Sequence, residues 1–139
     1  MANILTAERW LYSKLSGDTG TGGVATLVSS RIYNGIAAQG ATYPLVVFQS
    51  MSGVDVQGVG STFIMENEVF SVKVVTQDRS YSTAETIANR INYLLHKASG
   101  TATGGVVLAC VRQYVDKIET IEDGVQYKTI MQRYRIYTN

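Results

Sequence analysis

The sequence predicts an α+β domain: a mostly antiparallel sheet of about four strands with two helices packed on one face. Three observations carry this. Two segments place apolar residues at three- and four-residue spacing, the period of a helix with one buried side. Four segments are β-branched, aromatic or alternating, as strands are. The last two of these are joined by a connection too short for anything but an antiparallel hairpin. With 139 residues, the chain reads as a single domain, 1–139, able to bury a core without disulfide or metal support.

The first helix is expected over residues 4–15, where Ile4, Ala7, Leu11 and Leu15 form the stripe and Glu8 and Lys14 lie off it. Asn3 or Thr6 is the expected cap, and Trp10 is expected at the edge of the stripe. Residues 17–23, Gly-Asp-Thr-Gly-Thr-Gly-Gly, read as a loop. Residues 24–30 suggest a short helical turn, and Arg31-Ile32-Tyr33 a short strand broken by Asn34-Gly35. The only proline, Pro44, opens a buried strand over residues 45–51. Residues 52–62, with three glycines, read as an extended loop or long mobile hairpin. A strand follows over residues 66–77, with Phe70, Val72 and Val74 on one side and Ser71 and Lys73 on the other.

The second helix starts at Ser82-Thr83-Ala84-Glu85, which has capping-box spacing. Its stripe is Ala84, Ile87, Ala88, Ile91, Leu94 and Leu95. Residues 98–105 are small and read as a loop. Strands are expected over 106–117 and 126–138, with Glu119, Glu122, Asp123 and Gly124 between them.

Composition bounds the function. Charged residues make up 17% of the chain and the net charge is +1. A duplex-DNA binder driven by phosphate neutralisation does not fit so weak a field. Nine tyrosines and low charge suit a surface made for partners. The apolar runs are far shorter than the ~20 residues that span a bilayer, and the start lacks the basic and apolar pattern of a signal peptide. No membrane association is expected. The expected compartment is the reducing cytosol, or a particle assembled there.

No catalytic or metal set emerges. The glycine loop at 17–23 lacks the lysine of a phosphate loop and follows a helix, not a strand. His96 is the only histidine and stands at a helix C-terminus, where it suits the helix dipole. Cys110, the only cysteine, reads as a small core residue. Glu119, Glu122 and Asp123 lack the alternation of a calcium loop and read as a solvated turn. No cofactor is expected.

The final strand is more informative. Tyr127, Thr129, Met131, Arg133, Arg135 and Tyr137 share one face; Lys128, Ile130, Gln132, Tyr134 and Ile136 share the other. The first set has the composition of an interface, and equally of a plain exposed sheet face with cross-strand pairs. Val54, Val56 and Val59 add apolar surface in the glycine-containing segment. The expected interface residues are therefore Val54, Val56, Val59, Phe63, Tyr127, Arg133, Arg135 and Tyr137.

Two stretches also carry a family resemblance. Residues 31–49, Arg-Ile-Tyr-Asn-Gly-Ile-Ala-Ala-Gln-Gly-Ala-Thr-Tyr-Pro-Leu-Val-Val-Phe-Gln, resemble the segment of phage tail completion and tail terminator proteins in which an Arg-Ile-Tyr strand, a short loop and a Tyr-Pro precede an apolar strand. Phe70-Ser71-Val72-Lys73-Val74-Val75 and the helix from Ala84 to Leu95 are similar to that family's next strand and long helix. The resemblance implies a structural role without catalysis. It implies a homo-oligomeric ring, commonly a hexamer, at the head-proximal end of the tail of a long-tailed phage. The ring would end tail-tube polymerisation and contact the tail-tube protein and the head connector, or neck, protein. The genome would pass through it without specific nucleic-acid binding, and the location would be the neck of the virion after assembly in the host cytoplasm. The alternatives are another neck or connector component, or a small ligand-binding or enzymatic α+β domain.

Overall fold

The computed structural model describes residues 4–57 and 63–139, with residues 55–57 and 63–64 described by their backbone alone. The elements, in chain order, are α1 (Thr6–Ser16), α2 (Val24–Leu27), β1 (Ile32–Asn34), β2 (Leu45–Gln57), β3 (Phe63–Thr76), α3 (Ser82–Leu95), β4 (Ala98–Ala102), β5 (Gly105–Glu122) and β6 (Val125–Thr138). The strands form one six-stranded sheet in the order β1-β2-β3-β6-β5-β4. All neighbours are antiparallel except β1 and β2.

The α+β class agrees with the sequence expectation, but the sheet has six strands, not about four, and a four-residue helix, α2, adds to the two expected. Two of the additional features are short edge strands. β1 was legible as Arg31-Ile32-Tyr33. β4 was not, because Ala-Ser-Gly-Thr-Ala has little strand propensity; it pairs with β5 through tertiary context, from Ala98↔Cys110 to Ala102↔Gly105. Gly100 has a packing reason as well. A Cβ there would lie 3.1 Å from Trp10 Nε1, so glycine lets α1 settle against β4.

The core lies between the helices and one face of the sheet. Leu11 and Leu15 of α1, Ile87, Ile91 and Leu95 of α3, and Phe48, Phe70, Val72, Tyr134 and Ile136 of the strands are all buried. Trp10 is fully buried rather than at the edge, whereas Ile4 is exposed. Of the expected caps of α1, Asn3 lies outside the described residues and Thr6 lies inside the helix. α1 starts after Leu5 and α3 after Tyr81, each without a side-chain cap bond. Ser82 thus lies inside α3 rather than capping it.

Polar groups brought into this layer are mostly paired. Gln132 Nε2 donates to the Ala88 carbonyl at 2.9 Å, and the Tyr134 hydroxyl donates to Gln132 Oε1. The loop at 17–23 is tied to α3: Arg90 Nε and Nη2 each donate to Asp18 at 2.8 Å, and Val24 N donates to Asp18 Oδ2 at 2.8 Å. Residues 52–57, expected in a loop or mobile hairpin, belong to β2 and pair with β3 as far as Gln57↔Phe63; residues 58–62 lie outside the described residues. The last two strands are longer than expected and meet at a two-residue turn. Asp123 (φ 51°) and Gly124 (φ 79°) supply the left-handed pair that a tight hairpin requires. Glu119 and Glu122, expected in the connection, are in β5 instead.

Candidate assembly surface

Strand alternation divides the sheet into a helix-covered face and an outer face. Cross-strand rows fix the geometry. Val54, Asn67, Tyr137 and Ala109 form one outer row. Ser52, Val69, Arg135 and Val111 form the next. Gln49, Ser71, Arg133 and Tyr114 form a third. Arg133, Arg135 and Tyr137 therefore share one face, as strand alternation predicts, with Tyr127 further along the same strand; Val54 joins them there from β2, a placement the sequence did not indicate. Val56 and Phe63 pair through their backbones with Met65 and Gln57, and Val59 lies outside the described residues.

This outer face is a network of cross-strand contacts. Arg135 Nη1 donates to Asn67 Oδ1 at 2.9 Å. The Arg133 guanidinium stacks 4.6 Å from the Tyr114 ring centre, while its buried Nε has no hydrogen-bond partner. Tyr43 and Tyr127 pack with centroids 5.4 Å apart, and burial beside Tyr127 pushes the Tyr43 hydroxyl above its ordinary pKa. Val54, by contrast, is 65% exposed.

Two further features were missed in the sequence. The first is the apolar surface of β5. Val111, Tyr114, Val115, Ile118 and Ile121 are all exposed, Ile121 to 73%. Glu119, Glu122, Asp123 and Gly124 read as a charged connection beginning after Lys117; the strand runs five residues further, to Glu122. The only signal was the recurrence of apolar residues beyond that point, at Ile118 and Ile121. The second feature is a pair of open sheet edges. β4 covers β5 only as far as Cys110, and Arg112 N donates to His96 Nδ1. Among the described residues, the outer edge of β5 over 113–122 has no backbone partner. On the other side, β1 covers β2 at Val46, Val47 and Phe48. The outer edge of β2 over 49–57 likewise has no backbone partner among the described residues.

Chemistry-bearing side chains are dispersed. Among the described residues, no three of His, Cys, Asp and Glu gather to hold a metal ion. No helix among them is long and apolar enough to cross a membrane. Cys110 is buried, and burial pushes its thiol up to about 12, where it is a poor nucleophile at neutral pH. Burial likewise raises the Glu68 carboxyl above its ordinary value, against the hydrogen bond donated by Ser50 Oγ. A hollow of about 290 Å³ lies between α3 and the hairpin, lined by Tyr81, Glu85, Arg112, Lys117 and Gln132 among others. That is at the small end for a ligand site. Of its lining cations, Lys117 sits 5.9 Å from the Tyr81 ring, and Lys128, outside the lining, lies 5.0 Å from the same ring. Lys128 also pairs with Glu119 at 2.9 Å.

No curated protein matches the chain significantly. Among solved structures, a chain of the virion of a native gene transfer agent particle superposes with a TM-score of 0.68 at 15% identity, covering 97% of this chain and 99% of that one. At that identity the match establishes a shared fold. The sequence profile of a family described as "Tail completion protein gp17" matches residues 11–139. The chain therefore belongs to the phage tail completion protein gp17 family, whose members are structural proteins of virion assembly.

Proposed function

We propose that this protein forms a ring, most simply a hexamer, at the head-proximal end of a phage tail. There it ends polymerisation of the tail tube and joins the tail to the connector of the head. The observation that carries the reading is family membership across residues 11–139. A fold shared over nearly its whole length with a chain of a gene transfer agent virion supports it. So does the distribution of surface: a closed ring needs two different patches on each subunit, one meeting the other on its neighbour. The sheet offers, on two opposite sides, edges that have no backbone partner among the described residues.

In this role the chain acts by contact. One ring surface meets the last tier of the tail-tube protein, and the opposite surface meets the neck protein of the head. The genome passes through the opening, and specific nucleic-acid recognition is not needed. Deleting the gene tests the reading. Particles without the protein should show heads and tails that fail to join, and tubes of uncontrolled length. Joined particles with tails of normal length would reject it.

A further inference from the structure

The ring reading leaves open which surfaces meet, and the inference drawn here rests on that reading. The geometry points to strand addition: the open edge of β5, residues 113–122, pairs antiparallel with the open edge of β2, residues 49–57, of the next copy of this chain.

The sense of the strands comes first. β2 and β6 run one way and β3 and β5 the other, because each neighbouring pair is antiparallel. Continuing the sheet past β5 into another copy therefore brings an antiparallel β2 alongside it, the arrangement a ladder favours.

The short edge strands supply the second argument. Ser50, Phe70, Tyr134 and Arg112 form one row across the sheet. On one side of that row β4 fills the lane beside β5, and on the other side β1 fills the lane beside β2. The open part of β5 is thus a notch beyond β4, and the open part of β2 is a notch beyond β1. The two notches are of nearly equal length and lie at opposite ends of the sheet. Each takes the exposed strand of a neighbour, while β1 and β4 act as stops that fix the register. A foreign strand could occupy one notch, but only a second copy fills both at once.

The fit also sets an offset. Within one chain Ile118 lies in the row of Leu45. With the stops in place it faces residue 53 of the neighbour to within a residue or so. The offset of about eight residues is about 27 Å along the strand. An offset of this kind tilts the strands against the axis of a closed sheet, as shear does in a barrel. Lone edges of this length are otherwise a liability for aggregation, and the exposed Tyr114, Val115, Ile118 and Ile121 on β5 would gain cover from the neighbour.

Paired cysteines test this in assembled tails. Ile118→Cys is combined with Ser52→Cys in one variant and with Val54→Cys in another. All three side chains are exposed on the outer face, and Cys110 is buried, so it does not compete. Facing residues of an antiparallel pair lie about 4.5–5.5 Å apart at Cα, within disulfide reach. After mild oxidation, at least one double variant should run on a non-reducing gel as a ladder of multimers ending at the ring. The single variants should run as monomer. Imaging of the same tails separates the failures. Rings that form without a cross-link in either double variant would overturn the edge pairing and leave the ring reading standing. Links that stop at a dimer, or that join a different tail protein, would also overturn it. Tails without any ring of this chain would overturn both.

Discussion

Ile91 shows how one side chain bears on the whole fold. It is fully buried in the stripe of α3, among the residues that fill the layer between helices and sheet. Ile91→Asp would replace that packing with an unpaired carboxylate, at a cost of several kcal/mol. Urea denaturation should find the variant unfolded or close to it; a wild-type midpoint would show that this face is not core. Asp18 has a gentler signature. Its hydrogen bonds from Arg90 hold its carboxyl below the usual carboxylate range. A carboxyl depressed in the folded state contributes stability that is fully present above its unfolded pKa, about 4. That contribution fades as pH falls through the folded value. Thermal melts should therefore separate the wild-type protein from Asp18→Asn near neutral pH, with the gap closing in acid. A gap independent of pH would mean that the charge of Asp18 is not what matters.

At the scale of elements, the long strands and both amphipathic helices were legible in the sequence, because their apolar spacing matches the surfaces they bury. β4 was not, since small residues acquire strand geometry only from Cys110 and its neighbours. Nor was the full reach of β5, because the charges at Glu119, Glu122 and Asp123 resemble a turn when the partner strand is out of view. The candidate surface divides in the same way. Alternation alone placed Arg133, Arg135 and Tyr137 on one face, but it could not show that the arginines are engaged by Asn67 and Tyr114. Open edges are properties of a topology and have no residue signature. The turn at residues 123–124 is a local device that can be tested by itself. Gly124 has φ 79° and no atom within 4 Å of where a Cβ would lie, so Gly124→Ala adds backbone strain without a clash. It should cost ~1 kcal/mol, read as a lower denaturation midpoint; an unchanged midpoint would show that the tip of the hairpin frays. Hydrogen exchange addresses the edges themselves. Outward-facing amides of residues 49–57 and 113–122 should exchange quickly in the free subunit and slowly after assembly, whereas equal protection in both states would mean these edges stay open.

For the whole molecule, the central matter is where copies of this chain sit. Weak association in dilute solution is compatible with the proposed role, because assembling several subunits opposes entropy and the end of the tube can act as a template. Oligomeric state in isolation is for that reason a poor judge of function. The most direct measurement is a density map of the intact tail, at a resolution that traces this fold. It should show copies of this chain in a single ring between the last tier of the tube and the connector of the head. Copies distributed along the whole tube, or no copy in the particle, would contradict the role proposed for it.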